Sequence, residues 1–252
     1  MTARQHARAP LCVLAVATTL LLSAGCHRAQ HQAEQAAAQA AANEDAANPG
    51  AAAFDDAVSK QNWPLAKAQA DVLLAQYPGT HAAQRVQTQL GAVRAKADAA
   101  REAARTAALW SYSRQPVARS GKAGGTQLSA AIDAKDDVDV DGSGAKRVQL
   151  VFRDHPSWGR SAYLVLQAGD FNCYTGCKVK VKLDNAAPRP MAASRPKTDE
   201  AIAMFIQDQR ALWTMAQGTK VMAIEFPVKG GGTRTAVFEV AGLDRSQLPN
   251  WR

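Results

Sequence analysis

Residues 178–184 read Lys178-Val179-Lys180-Val181-Lys182-Leu183-Asp184. Strict alternation of charged and apolar residues has the two-residue period of a β-strand, so Val179, Val181 and Leu183 face a core while the three lysines face water. A lysine-guarded sheet edge is the ordinary meaning of such a strand. The same period recurs in Leu128–Asp133, Arg147–Arg153 (Val148, Leu150 and Phe152 on one face), Tyr163–Gln167, Lys220–Phe226 and Thr235–Val240. Gly230-Gly231-Gly232 joins the last two as a hairpin. Thr198 is placed to cap a helix through Ala201, Ile202, Met204, Phe205, Leu212, Trp213 and Met215. Residues 128–252 are therefore expected to form a mostly antiparallel β-domain with one packed helix, long enough to bury its own core.

Upstream of this domain the period becomes helical. Phe54, Ala57 and Val58 share one helical face, Gln61-Asn62 breaks the run, and Trp63-Pro64 opens a second helix with proline at a tolerated early position. Leu65, Ala66, Ala70, Leu73, Leu74 and Tyr77 give its apolar side. Pro78-Gly79 stops it, and Thr80 caps a third helix through Val86, Leu90 and Val93 toward Leu109. Residues 51–113 thus read as a helical hairpin plus a long helix, and 114–127 as a linker. Residues 26–50 hold Ala, Gln, Asn and a few charges without large apolar side chains, and read as a tether with partial helix. The fold class is α+β, a small helical unit followed by the β-domain.

Trp63, Ala66, Ala70, Leu73 and Pro78 fall at the spacing of the second half of a tetratricopeptide repeat, which the hairpin resembles. Ala70 replaces the usual aromatic, and the Trp and Leu-Gly positions of the first half are unmatched. About three stacked repeats make a solenoid. The resemblance here implies a small interaction unit, with a generic helical spacer as the plain alternative.

The chain begins with Arg4 and Arg8 and no acid, continues with an apolar run from Pro10 to Leu22, and reaches Ser23-Ala24-Gly25-Cys26. A basic start, a short apolar core and small residues make residues 1–25 a secretory signal. The run is shorter than the roughly 20 apolar residues of a membrane span. Ser-Ala-Gly-Cys after Leu21-Leu22 resembles the lipobox of bacterial lipoproteins, with Ser23 where Leu is usual. The resemblance implies that Cys26 is the lipid attachment site, acylated and made N-terminal by cleavage. Each buried methylene then contributes about 0.8 kcal/mol to anchoring. An ordinary signal peptide that leaves Cys26 a free thiol is the alternative. In that family Asp after the cysteine favours the inner membrane. His27 stands there, which implies the outer membrane, facing the periplasm.

The chain holds four cysteines. Cys12 leaves with the signal and Cys26 is the lipid site, so Cys173 and Cys177 remain, as Cys-Tyr-Thr-Gly-Cys. In an oxidising compartment they read as a small structural disulfide across a turn. A redox-active pair and a metal site are the alternatives. The first lacks Cys-x-x-Cys spacing and a βαβ context, and the second lacks further soft ligands. The formal charge is +8, and removal of Arg4 and Arg8 leaves a modest basic excess suited to anionic envelope surfaces.

A second resemblance covers the C-terminal half. Trp110-Ser-Tyr112, Arg153-Asp-His155-Pro156 with Gly159, Gly169-Asp-Phe171-Asn-Cys173 through Asp184, Ile224-Glu225, and Phe238-Glu-Val240-Ala-Gly242-Leu243 occur in order. The set is similar to a module of uncharacterised exported proteins of Gram-negative bacteria. It implies a domain and a compartment, and no activity.

No constellation of catalytic residues stands out. Asp137, Asp139, Asp141 and Gly142 open like a calcium loop, but Val148 stands where the bidentate acid belongs, and a strand with a hairpin turn fits better. His155 precedes Pro156 and reads as a turn. No phosphate loop, dinucleotide fingerprint or Gly-x-Ser-x-Gly occurs. The expected protein is a non-enzymatic, periplasm-facing envelope lipoprotein acting as an interaction or scaffold module. It needs no cofactor or metal, meets the membrane through its lipid, and meets envelope proteins through the helical unit. The rival is an enzyme or binding protein acting on cell-wall or other anionic polymers, using an acid pair such as Asp170 and Asp184 or the lysines Lys178, Lys180 and Lys182. Aromatics are not interleaved with these lysines, so nucleic acid is not an expected partner.

Overall fold

The computed structural model describes the backbone of residues 17–119, 122–198 and 202–251, without the side chains of 17–26, 119, 122 and 123. The first sixteen residues of the signal reading, the Cys26 side chain and Ala201 lie outside what is described. The chain divides into two compact units, residues 1–100 and 101–252.

The first unit is helical: α1 (Ala17–Ser59), α2 (Trp63–Gln76) and α3 (His81–Ala107), which runs on into the second unit. The expected tether is part of α1, because alanine carries little cost in a helix and the end of this stretch has partners. Ala47 and Ala51 are buried, and Gly50 leaves room for Leu73, whose Cδ1 lies 3.2 Å from where a Cβ would stand. The Glu44 carboxylate accepts the backbone N–H groups of His81 (2.8 Å) and Ala82 (3.0 Å), two free donors at the start of α3. Phe54 and Ala57 meet Ala66, Ala70 and Leu73 of α2 and Val86, Leu90 and Val93 of α3. Gln61, at φ +55°, ends α1, and Asn62 caps α2 by accepting from the Leu65 N–H. Thr80 caps α3 through the Ala83 N–H at 3.1 Å.

The second unit is one antiparallel sheet. Its strands are β1 (Trp110–Arg119), β2 (Lys122–Asp133), β3 (Val148–His155), β4 (Gly159–Leu166), β5 (Cys177–Leu183), β6 (Arg189–Ser194), β7 (Ala203–Ile206), β8 (Met222–Pro227) and β9 (Thr233–Phe238). They lie in the order β1-β2-β3-β4-β7-β6-β5-β8-β9. Alternate residues of every central strand are buried on one face, including Leu150, Phe152, Leu164, Val179, Val181, Met204, Ile224 and Phe238. Helix α4 (Gln209–Gln217) places Leu212, Trp213 and Ala216 on that face. A 3-10 turn at Arg245–Gln247 is followed by Leu248 and Trp251, which enter the same core. Phe152 is its aromatic hub, edge-on to Trp213 (5.1 Å) and Trp251 (5.4 Å).

Four expectations change here. The stretch 114–127 is not a linker but the paired strands β1 and β2, held by their ladder. Residues 203–206 are strand rather than helix, since Met204 and Ile206 alternate into the core. Helix α4 starts later, capped by Asp208, whose carboxylate accepts from the Ala211 N–H at 3.0 Å. Strand β5 is not an edge, because β6 and β8 flank it.

Motif residues mostly build this architecture. Trp110 is buried beside Phe152, and the Tyr112 hydroxyl accepts the Asp244 N–H at 2.7 Å. Gly242, at φ +86°, lets the tail pass against α3: a Cβ there would lie 2.5 Å from the Ala107 nitrogen. Among the described residues no helix is long and apolar enough to cross a membrane.

Candidate functional site

The sheet face turned away from the core carries the site. Lys178, Lys180 and Lys182 project from it, while Val179 and Val181 are buried. Lys180 pairs with Glu225 at 2.8 Å. Lys178 and Lys182 have no ion-pair partner among the described residues. Strand β5 pairs with β6 over residues 177–181 and with β8 over 180–183, so it lies inside the sheet and offers its outward side chains to a partner.

The register sets these cations beside residues distant in sequence. Cys177, Ala193, Ile206, Ala162, Phe152 and Ala130 form one core-facing row across five strand boundaries. One residue along lies an outward row. Lys178 is opposite Ala192, whose carbonyl accepts from the Gln207 N–H at 2.9 Å, and Ser161 is opposite Arg153, itself opposite Ser129. The next outward row runs Ser194, Phe205, Tyr163, Val151 and Ala131. Phe205 and Tyr163 rings pack at 5.1 Å. A polar row ending in cations thus runs beside an aromatic one.

Arg153 is held from three sides. Its guanidinium lies 5.4 Å from the Trp158 ring centre and 5.2 Å from that of Tyr163. Its Nε donates to the Ser161 hydroxyl at 3.2 Å. Neither terminal nitrogen is hydrogen-bonded among the described residues. Burial pushes the Tyr163 phenol above its usual range, so it stays protonated and able to donate. Trp158 sits in the turn between β3 and β4, 72% exposed. Its indole is propped by His155, stacked at 4.0 Å. The His155 Nδ1 accepts the N–H groups of Ser157 (3.1 Å) and Trp158 (3.2 Å), so the histidine builds the turn, as the His-Pro pattern suggested.

Cys173 and Cys177 are joined by a disulfide. Beside its loop, buried Arg195 lies 3.5 Å from the buried Asp170 carboxylate and donates to the Thr198 carbonyl at 3.0 Å. Lys229 approaches the same carboxylate from outside at 3.5 Å, and half-exposed Tyr174 lies under the Arg195 guanidinium at 5.3 Å. This knot braces the loop.

Asp170 and Asp184 are not brought together. Asp170 is tied to Lys229, beyond the end of β8, and Asp184 to Val221, before its start. At about 3.4 Å per residue the two sites lie a whole strand apart. Asp184 instead receives the Thr219 hydroxyl (2.6 Å) and the Val221 N–H (2.9 Å), which hold its carboxyl below the usual range. Asp139 and Asp141 accept the N–H groups of Gly142 (2.7 Å) and Ser143 (3.0 Å), closing the turn between the bridged residues Val138 and Lys146. Among the described residues no three His, Cys, Asp or Glu side chains are grouped to hold a metal.

Arg153, Trp158, Tyr163 and Gln207 were not singled out from sequence as site residues. One signal was available for Arg153: it lies on the strand face opposite Val148, Leu150 and Phe152. Its place on one row with Lys178 depends on strand order.

No family model matches the chain, and no curated protein matches it. Among solved structures, the crystal structure of invasion associated protein B from Bartonella henselae is similar over 57% of this chain and 91% of that chain, at 12% identity and a TM-score of 0.35. The likeness is remote.

Proposed function

We propose that this chain is an exported envelope lipoprotein, anchored through Cys26 at the outer membrane facing the periplasm, that binds rather than catalyses. Its β-domain holds an anionic envelope polymer on the outward sheet face. The observation that carries this is the placement of Lys178 and Lys182, exposed and without acidic partners among the described residues, on a face whose other side fills the core. The signal-like start and the Cys173–Cys177 disulfide suit an oxidising compartment outside the cytoplasm. The test is sedimentation of the mature chain with purified cell-wall sacculi. Replacing all three lysines with Gln should preserve the fold and abolish most of the bound fraction. Binding should also fall steeply with salt, as the Debye length shrinks from about 10 Å at 0.1 M to about 3 Å at 1 M. Equal binding by wild type and triple variant would refute the reading.

The helical unit supports a second contact, with an envelope protein. On α2, Leu65, Ala68, Val72 and Ala75 follow helical spacing and are all exposed. Leu65 is 43% and Val72 50% exposed, a stripe left open to solvent among the described residues. Crosslinking in intact cells should yield a protein adduct from this stripe, and Leu65→Glu with Val72→Glu should remove it.

A further inference from the structure

We propose that the outward row Lys178–Ala192–Gln207–Ser161–Arg153 is a track for a linear acidic glycan, laid across the strands with a carboxylate-bearing sugar held by Arg153 against Trp158. This rests on the anionic-polymer reading and names the class of polymer and its seat. The row spans four inter-strand steps from β5 to β3, roughly 19 Å at about 4.8 Å each. It has a cation at each end and no acid between. Its middle residues are Ala192, small enough to leave the surface open, Gln207, whose amide nitrogen donates to Ser194 and whose oxygen can accept from a sugar hydroxyl, and Ser161, whose hydroxyl accepts from Arg153 and can donate its own proton.

Arg153 is preorganised for a carboxylate. Two rings and the Ser161 hydroxyl fix its plane, and both terminal nitrogens are left to donate together, the fork that matches a carboxylate. Little side-chain entropy is then lost on binding. Trp158 adds an exposed indole whose other face is already covered by His155, a firm apolar platform for the C–H face of a sugar ring. The alternatives fit less well. A nucleic-acid strand needs successive exposed rings, yet beside the row Tyr163 and Phe205 are half-buried and packed on one another, so Trp158 is followed by no second exposed ring along the row among the described residues. An anionic bilayer rewards total charge over a flat area and gives no special weight to one pinned arginine.

The experiment titrates the full mature chain at low salt with oligogalacturonate, with its fully methyl-esterified form, and with phosphatidylglycerol vesicles. Binding to oligogalacturonate should be saturable and lost on esterification, which removes the charge and keeps the hydroxyls. Arg153→Gln should weaken it about tenfold or more, as expected when a charge-assisted pair is removed. Lys178→Gln should weaken it several-fold. Lys182→Gln, on the same strand but off the row, should weaken it less than Lys178→Gln does. Trp158→Ala, at an exposed turn, leaves the core intact and should also weaken binding, which guards against Arg153→Gln acting through misfolding. Equal losses for Arg153→Gln and Lys182→Gln would overturn the track while leaving general polymer binding intact. So would tighter binding to vesicles than to oligogalacturonate, or equal binding of the methyl ester. Failure to bind both oligogalacturonate and sacculi would overturn both readings.

Discussion

Lys178 and Arg153 stand on one outward row of the sheet, with β6, β7 and β4 between their strands. Nothing local relates them. Strand β5 enters the sheet beyond β7 and β6 rather than beside β4, so the chain returns to place the lysine strand three strands from its sequence neighbour. Had β5 been the expected edge strand, its lysines would serve mainly to deter pairing with another chain. As an interior strand it has no edge to protect, and its charge is available for recognition.

Lipidation at Cys26 is expected from the residues before it. Mass measurement of the natural N-terminus should find an acylated cysteine, and Cys26→Ser should yield an unacylated chain that leaves the membrane fraction. An unmodified Cys26, or a start elsewhere, would overturn the expectation.

The Cys173–Cys177 bond should contribute at the low end of roughly 2–4 kcal/mol, because it closes a short loop. Unfolding without reductant should leave both thiols unlabelled by an alkylating agent. Replacing both cysteines with Ala should lower the melting temperature modestly. It should also speed proteolysis near Tyr174, because Cys173 helps hold Arg195 through its carbonyl.

Glu44 ties the expected tether to the helical unit. Glu44→Ala strips two N–H groups at the start of α3 of their acceptor and should cost about 0.5–2 kcal/mol, the range for a lost helix cap. Amide exchange at His81 and Ala82 should accelerate most. Unchanged exchange there would show that the carboxylate is idle in solution.

Asp184 should make the β-domain acid-sensitive. The Thr219 hydroxyl, then the Val221 and Lys220 N–H groups, hold its carboxyl below the usual value. The folded state therefore binds this proton less readily than the unfolded one. The linked stability is fully present above the ordinary carboxylate pKa of about 3.9, and is lost as pH falls through the folded value. Asp184 also sits at φ +42°, which Asn tolerates better than Ala. Asp184→Asn should flatten the decline of melting temperature below about pH 4, and Asp184→Ala should lower it at neutral pH. Parallel pH curves for wild type and Asp184→Asn would rule out the linkage.

The sequence by itself determined what is local. Period two in Lys178–Leu183 and Arg147–Arg153 assigned strand and face, since side chains alternate whatever the partners. Trp63-Pro64 and Thr80 marked helix starts, because an early proline and a cap act only within their own next turn. The class, helices before an antiparallel sheet, followed from the change of period. Tertiary structure alone decided what depends on partners. Residues 114–127 lack an apolar pattern and become strand only through the ladder between β1 and β2. Residues 203–206 have an apolar spacing that suits helix or strand, and pairing with β4 and β6 settles which. The alanine-rich end of the presumed tether is packed because Glu44 and Gly50 meet α3 and α2. The cation row exists only in three dimensions: each residue's outward direction is written locally, but who stands beside whom is set by strand order, to which a short sequence window is blind.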